Sequence, residues 1–151
     1  MSKLKKGVDN HLSLSHMILQ RDLNPHETLF AGQAASYLVE CGFLEAMDYL
    51  QTKHLVCQGL DGLRFLQPVH KGEAITLTTS VVSLGKTSVG ILVELFIIPQ
   101  QQKAAECFVT FVTINEETGR AVPHNMEAPT LENELEKKAK RYQALRKVPK
   151  K

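Results

Sequence analysis

The chain has 151 residues, of which 43% are hydrophobic and 23% charged, and it contains no Trp. This length and composition predict one globular domain over residues 1–151 and exclude a fibrous or disordered chain. The formal net charge is +2, but residues 130–151 hold eight Lys/Arg against three Glu, which leaves the rest slightly acidic. A basic end with so few aromatic residues favours a solvated helix over a nucleic-acid site.

Three cysteines are widely spaced and lie inside apolar runs, at Cys41, Cys57 and Cys107. No C-x-x-C pair points to a metal site or a redox motif. We therefore expect three buried, reduced thiols in a cytoplasmic protein. The sequence carries no export signal and no run of about 18 apolar residues, so we expect no membrane insertion.

The first half of the chain predicts a strand followed by one long helix. Residues 11–20 alternate loosely, and Asn24-Pro25 then interrupts regular structure. Residues 30–51 are helix formers and small apolar side chains, too long a run for a strand. Because this helix is apolar on most of its circumference, we expect it to be buried on more than one side.

The second half predicts a series of strands and a polar helix. Strand patterns or strand-like segments cover residues 54–66, 74–83, 89–97 and 104–114, separated by short turns. Residues 130–147 carry Glu early and Lys/Arg late, the order that suits a helix dipole. The order of elements predicts an α+β fold in which an antiparallel sheet wraps around a long central helix, with a polar C-terminal helix. This is the arrangement of the hotdog fold, with a core over residues 11–123.

Four stretches carry a resemblance to a known family: LNPHETLFAGQAASYLVECGFLEA, GLRFLQPVHKGE, VSLGKTSVGILVEL and CFVTFVTINEETGRAVP. Their order and spacing resemble the hotdog-fold acyl-CoA thioesterases of the cytosolic acyl-CoA hydrolase type. In that comparison Asn24 stands at the active-site Asn, and Gly32 stands in the Phe-Gly-Gly that begins the central helix. Through the second and third motifs, the resemblance implies that five residues bind substrate: Phe65, Pro68, Lys86, Thr87 and Ser88.

Two positions depart from the family pattern. Glu27 occupies the position where the family has Gly, three residues before Phe30. The family's catalytic Asp falls at Val39, and the neighbouring residue is Glu40. We therefore hypothesise that Glu40 has taken the catalytic role, although one residue of helix is a rotation of about 100°.

The chemistry of these residue types gives each site residue a role and an alternative. Gly32 would offer a backbone N–H at a helix N-terminus to the oxyanion, or would only permit close packing. Glu40 would act as general base or as nucleophile, or would belong to a polar stripe with Gln33, Ser36 and Tyr37. Asn24 would donate its amide to the thioester carbonyl, or would be a turn residue.

The resemblance implies hydrolysis of an acyl-CoA to a free carboxylate and coenzyme A, with no metal or redox cofactor. It also implies a homo-oligomer, most often a hexamer built as a trimer of dimers, with Asn24 and the acid supplied by opposite subunits. Lys86, Thr87 and Ser88 would meet the phosphates of coenzyme A. Two other classes remain open: a non-catalytic acyl-CoA binding module, and a hotdog dehydratase that would use a loop His such as His26.

Overall fold

The computed structural model describes residues 5–6 and 11–147. The described residues form two helices, one 3₁₀ turn at Gln20–Asp22 and seven strands. The helices are α1 (Ala31–Leu50) and α2 (Asn133–Arg146). The strands are β1 (Lys5–Lys6), β2 (Ser13–Met17), β3 (Leu55–Phe65), β4 (Ala74–Leu84), β5 (Ser88–Ile98), β6 (Gln102–Thr113) and β7 (Met126–Glu127).

Five strands form one antiparallel sheet in the order β2-β4-β5-β6-β3. Short turns join β4 to β5 and β5 to β6, so consecutive strands pair over nearly their whole length. The predicted alternation is confirmed, because the inward side chains of β4 and β5 are buried: Ile75, Leu77, Thr79, Val81, Val89, Ile91, Val93, Leu95 and Ile97. Separately, β1 and β7 form a two-stranded parallel ladder.

The helix α1 packs across the inner face of this sheet, against β3, β4, β5 and β6. Its small residues allow a close approach, and Gly42 shows why one of them is a glycine. A Cβ built at Gly42 would lie 3.3 Å from Val93 Cγ2 and 3.5 Å from Phe111 Cε2. Gly42 therefore lowers the intrinsic helix propensity of α1 but permits close contact with the sheet.

The expectation that α1 is buried on more than one side is wrong for this chain taken alone. The sheet covers only one side of the helix, and the opposite side remains open. Leu44 is 37% exposed, and Val39, Phe43 and Met47 are only partly buried. An apolar helix face of this kind marks a surface that another molecule covers.

The C-terminal helix α2 covers the outer face of the sheet. Tyr142 is 1% exposed and forms a second small core with Val82, Leu92 and Phe108. Its hydroxyl shares a hydrogen bond of 2.6 Å with Thr110 Oγ1. The sheet is thus enclosed between α1 and α2.

The cysteine prediction is correct for two of the three thiols. Cys41 and Cys107 are buried and reduced, and burial raises the pKa of each to about 12. Cys57 is reduced but exposed, and it lies on β3, at the edge of the sheet. The long helix, the antiparallel sheet around one side of it and the C-terminal helix confirm the hotdog fold.

Candidate active site

A tight loop over residues 23–29 lies between the 3₁₀ turn and α1. Leu23 and Leu29 form a β-bridge, and Asn24 N–H donates to Thr28 O at 2.8 Å. Leu29 N–H donates to Val69 O at 2.7 Å, which fixes the loop to the segment before β4. The loop is thus held on two sides by backbone hydrogen bonds.

Asn24 uses most of its side chain to build this loop. Its Oδ1 accepts from His26 N–H at 2.8 Å and from Thr28 N–H at 3.1 Å. Its Nδ2 donates to Thr28 Oγ1 at 2.8 Å. The turn role is therefore present, and the two N–H groups on Oδ1 fix the orientation of the amide. One Nδ2 hydrogen has no partner among the described residues, so Asn24 can offer a ligand only a donor.

Glu27 occupies the position where the family has Gly. Its backbone nevertheless has the conformation that glycine favours. Its φ of 61° lies in the left-handed region, which glycine adopts most readily. Its N–H donates to Asn24 O at 3.0 Å. The loop therefore has a left-handed residue here despite the side chain.

A cavity of about 350 Å³ opens where this loop meets the start of α1. Asn24, Phe65 and Pro68, all identified from the sequence, line it together. The other lining residues are mostly apolar: Leu29, Ala31, Ala34, Leu66, Gln67, Val69, Leu95, Ala104 and Ala105. The site thus has an apolar wall and one fixed amide donor.

Gly32 lies in the first turn of α1, just outside the lining of this cavity. The first intrahelical hydrogen bond runs from Ala34 N–H to Phe30 O at 2.9 Å, so Gly32 N–H precedes it and has no partner within the helix. A Cβ at Gly32 would approach Phe30 Cε2 to 2.6 Å. Phe30 is 54% exposed and its ring is free to move aside, so this contact alone does not require a glycine.

A second, open groove of about 780 Å³ follows the outer side of α1. Glu40 lines it with Ala35, Ser36, Val39, Phe43, Leu44, Met47 and, from β3, Leu60. Val39 and Glu40 share this groove, so the acid one residue later remains on the same surface. Glu40 is exposed, and within one chain it does not line the cavity that holds Asn24.

Lys86 and Thr87 lie in the turn at the other end of β4, and Ser88 is the first residue of β5. Thr28 forms a bridge with His70 just before β4 begins, whereas Lys86 lies two residues beyond the last residue of β4. Eleven residues of strand span about 35 Å, so one chain does not bring this turn to the Asn24 cavity. Thr87 O accepts hydrogen bonds from Thr113 N–H at 2.8 Å and Thr113 Oγ1 at 3.1 Å.

Sequence reasoning missed three carboxylates that are buried: Asp22, Glu45 and Glu106. Asp22 is 0% exposed and accepts hydrogen bonds from Leu19 N–H, Gln33 Nε2 and Tyr37 Oη. Burial raises the pKa of Asp22, but these hydrogen bonds outweigh burial and leave the pKa below its ordinary value. Glu45 is also 0% exposed and accepts from Thr79 Oγ1 at 2.8 Å.

The stripe predicted on α1 is therefore divided between two environments. Gln33 and Tyr37 turn toward Asp22, whereas Ser36 and Glu40 face the open groove. Over residues 5–6 and 11–147, no group of three or more His, Cys, Asp or Glu is placed to hold a metal ion. Within the same residues, no helix is long and apolar enough to cross a membrane.

The sheet with α1 across one face defines a hotdog-fold protein, with a cavity at the start of that helix. The chain belongs to the thioesterase superfamily, whose family model matches residues 26–104. The resemblance found in the sequence is thereby confirmed.

Three similar proteins extend this comparison. YkhA of Bacillus subtilis, described as an uncharacterized acyl-CoA thioester hydrolase, is 27% identical over 118 residues, which are 76% of this chain and 67% of YkhA. The crystal structure of an acyl-CoA hydrolase from Bacillus cereus matches with a TM-score of 0.77 and 27% identity, covering 95% of this chain and 88% of that one. An apo hexameric acyl-CoA thioesterase matches with a TM-score of 0.77 and 22% identity, covering 94% and 91%.

Proposed function

We propose that this chain is an acyl-CoA thioester hydrolase that releases a free carboxylate and coenzyme A without a metal or redox cofactor. Membership in the thioesterase superfamily and the names of the two relatives at 27% identity support the reaction class. The observation that carries the proposal is the Asn24 cavity at the N-terminus of α1. A cytoplasmic location, expected from the cysteine pattern, belongs to this proposal.

In this proposal the thioester carbonyl enters the cavity with its oxygen toward the start of α1. The N–H groups of the first helical turn have no intrahelical partners, and the helix dipole favours negative charge there. Gly32 N–H is the assigned oxyanion donor, and the remaining Nδ2 hydrogen of Asn24 is the second. Removal of one such donor typically costs about 2.7–4 kcal/mol of transition-state stabilisation.

The site would be completed by a second copy of the chain. Among the described strands, β3 has a neighbour on one side only, and its residues Val56, Leu60, Leu63 and Phe65 are exposed. Leu60 also lines the groove of Glu40, and Phe65 lines the cavity of Asn24. Pairing of two β3 strands would therefore cover both surfaces and bring the two halves of the site together.

Within such a dimer, Glu40 of the partner subunit is assigned as the acid that activates water. Its carboxylate has no hydrogen bond or ion pair with the described part of its own chain, so it is available as a base. The groove that it shares with Val39 supports this assignment, because the carboxylate lies on the surface where the family's Asp would lie.

Assembly of dimers into a hexamer is the larger form that we propose. The position of Lys86, Thr87 and Ser88 supports it, since this turn lies at the end of the sheet opposite the Asn24 cavity. Contact between this turn and the coenzyme A in that cavity requires another subunit. The similar apo thioesterase is itself hexameric.

The test is release of free thiol from acyl-CoAs of increasing chain length by wild type, Glu40→Gln and Asn24→Ala. Loss of the base predicts at least a roughly hundredfold fall in kcat for Glu40→Gln with little change in KM. Asp48→Asn is the matched control, because it removes one carboxylate two turns further along α1, and its kcat should change less than about twofold. Equal kcat values for Glu40→Gln and wild type would contradict the assignment.

A non-catalytic acyl-CoA binding module is the second candidate. It is favoured by Val39 at the position of the family's Asp and by the separation of Glu40 from Asn24 within one chain. Binding of acyl-CoA by wild type without release of thiol would establish this alternative.

A further inference from the structure

Asp22 lies in the 3₁₀ turn between β2 and α1, and no solvent reaches it. Ionised carboxylates are seldom buried without a cation, because the loss of hydration must be offset by hydrogen bonds or charge pairing. No Lys, Arg or His of the described chain lies within ion-pair distance of Asp22, although the charge of the neighbouring Arg21 favours its ionised form. Three neutral donors surround it instead: Leu19 N–H, Gln33 Nε2 and Tyr37 Oη.

The two carboxylate oxygens of Asp22 attach to different parts of the chain. Oδ2 accepts from Leu19 N–H at 2.8 Å, which closes the 3₁₀ turn. Oδ1 accepts from Gln33 Nε2 at 3.0 Å and from Tyr37 Oη at 2.7 Å, which lie in the first two turns of α1. Only a carboxylate offers acceptors at both ends, because the amide of Asn presents one acceptor and one donor group.

The backbone of Asp22 closes the loop that carries Asn24. Phe30 N–H, directly before α1, donates to Asp22 O at 2.8 Å. The loop of residues 23–29 thus begins and ends next to Asp22. Asn24 lies one residue after the bridge residue Leu23. The side chain and backbone of Asp22 together join both ends of this loop to the start of α1.

Tyr37 is itself held in place from the opposite side. The ring of His16, on β2, stacks on the ring of Tyr37 with centroids 4.4 Å apart and an interplanar angle of 18°. The ring of Tyr37 thus contacts β2 through this stack while its hydroxyl donates to Asp22. The edge strand β2 is joined to the network in this way.

We propose that Asp22 is a positioning residue for thioester hydrolysis, locking the loop of Asn24 to the first two turns of α1. It thereby sets the distance between the Asn24 amide and the Gly32 N–H, the two groups assigned to the thioester oxygen. The inference rests on the proposed function. Since small displacements of catalytic groups cost large factors in rate, loosening this network should lower kcat and leave KM little changed.

The test compares Tyr37→Phe with Tyr142→Phe. Each change deletes one phenolic hydroxyl from a short hydrogen bond, to Asp22 at 2.7 Å or to Thr110 at 2.6 Å. Tyr142 lies on α2, across the sheet from the candidate site, so it serves as the control for a lost hydrogen bond. The readouts are kcat and KM for thiol release, the urea unfolding midpoint, and amide hydrogen exchange at Thr28 and Phe30.

We expect Tyr37→Phe to lose about tenfold or more in kcat with KM within about twofold, and to exchange the Thr28 and Phe30 amides faster. Asp22→Asn should show the same pattern more strongly, whereas Tyr142→Phe should change only the unfolding midpoint. Equal kcat values for the two Tyr variants, with an active wild type, would overturn the proposal.

Failure of the proposed function gives a different result. A wild type that releases no thiol would overturn the catalytic part of the inference together with the function. The exchange rates would still decide whether Asp22 holds the loop, and unchanged exchange in Tyr37→Phe and Asp22→Asn would overturn that part as well.

Discussion

Tyr142 of α2 lies so close to Gly90 of β5 that any side chain at Gly90 would overlap its ring. The contact closes the second small core on the outer face of the sheet, where Tyr142 also bonds Thr110. Gly90 is therefore a docking point for α2. Its lack of a Cβ matters for packing and not for backbone conformation, since its φ is outside the left-handed region.

Replacement of Gly90 by Ala should detach α2 from the sheet. Overpacking of this kind costs about 1–3 kcal/mol, and we expect about 2 kcal/mol of lost unfolding free energy by urea titration. Limited proteolysis should cut within Asn133–Arg146 faster than in wild type. Gly59→Ala is the control, because a Cβ at Gly59 on β3 meets nothing within 4 Å. Equal stability of the two variants would contradict the contact.

Glu106 makes stability depend on pH in the acid range. It is 1% exposed, and Arg64 Nη2 lies 2.7 Å from its Oε2 while Lys103 pairs with its Oε1. Burial raises the pKa of Glu106, but hydrogen bonds from Lys103 and Arg64 outweigh it and bring the pKa to about 2 from 4.5. The carboxylate therefore contributes its full stabilisation above pH 4.5, and this contribution falls as pH drops toward 2.

Unfolding free energy should accordingly decrease between about pH 4.5 and pH 2 in wild type. Glu106→Gln should lower the unfolding free energy by about 1–3 kcal/mol at pH 7, because charge-assisted hydrogen bonds from Arg64 and Lys103 are lost, and it should flatten the acid slope. Part of the slope should remain, because the pKa of Asp22 is also lowered. Urea titrations at several pH values measure this, with the exposed Glu116→Gln as the control. An unchanged slope in Glu106→Gln would contradict the assignment.

Glu27 holds a left-handed backbone conformation at φ 61°. This conformation costs an ordinary residue about 1 kcal/mol and costs glycine little. Glycine also has greater entropy in the unfolded chain, which offsets part of this gain. The free energy of unfolding of Glu27→Gly should therefore rise by about 0.5 kcal/mol, as measured by urea titration. Glu117→Gly, in a turn without positive φ, should lose a similar amount. A loss of stability in both variants would show that the loop does not hold Glu27 in this conformation.

Thiol reactivity should separate the three cysteines. Burial raises the pKa of Cys41 and of Cys107 to about 12, whereas Cys57 is exposed on β3. Iodoacetamide should therefore spare Cys41 and Cys107 in the native protein, modify no thiol other than Cys57, and reach all three in urea, as counted by intact mass. Cys57→Ser should remove the native reaction. Peptide mapping that finds native modification at Cys41 would disagree with its place in the core.

Much of the fold could be predicted because its elements are long and periodic. Residues 30–51 and 74–83, predicted as helix and strand, are α1 (Ala31–Leu50) and β4 (Ala74–Leu84). The pairing of β1 with β7 was not predicted, because strands of two residues carry no repeat. The open side of α1 was not predicted either. Hydrophobicity shows that a face needs cover, but it does not show whether the cover belongs to the same chain.

The candidate site could be predicted only in part. Asn24, Phe65 and Pro68 were identified by resemblance and line one cavity. Asp22 and Glu45 were missed, because an acidic residue is normally expected to be exposed to solvent. Their burial depends on donors brought together by the fold, such as Tyr37 for Asp22 and Thr79 for Glu45. The catalytic role of Glu40 stays a prediction.

The two register shifts in β3 bear on aggregation. One extra residue interrupts its ladder with β6 between Cys57 and Gly59, and another does so between Asp61 and Arg64. Each irregularity bends the strand and breaks the regular row of backbone donors and acceptors along its outer side. Outside the proposed pairing with a second copy of the chain, the long, apolar β3 therefore offers no even template on which unrelated extended chains could grow into a fibril. The opposite edge, β2, has only five residues and gives such growth little length to start from.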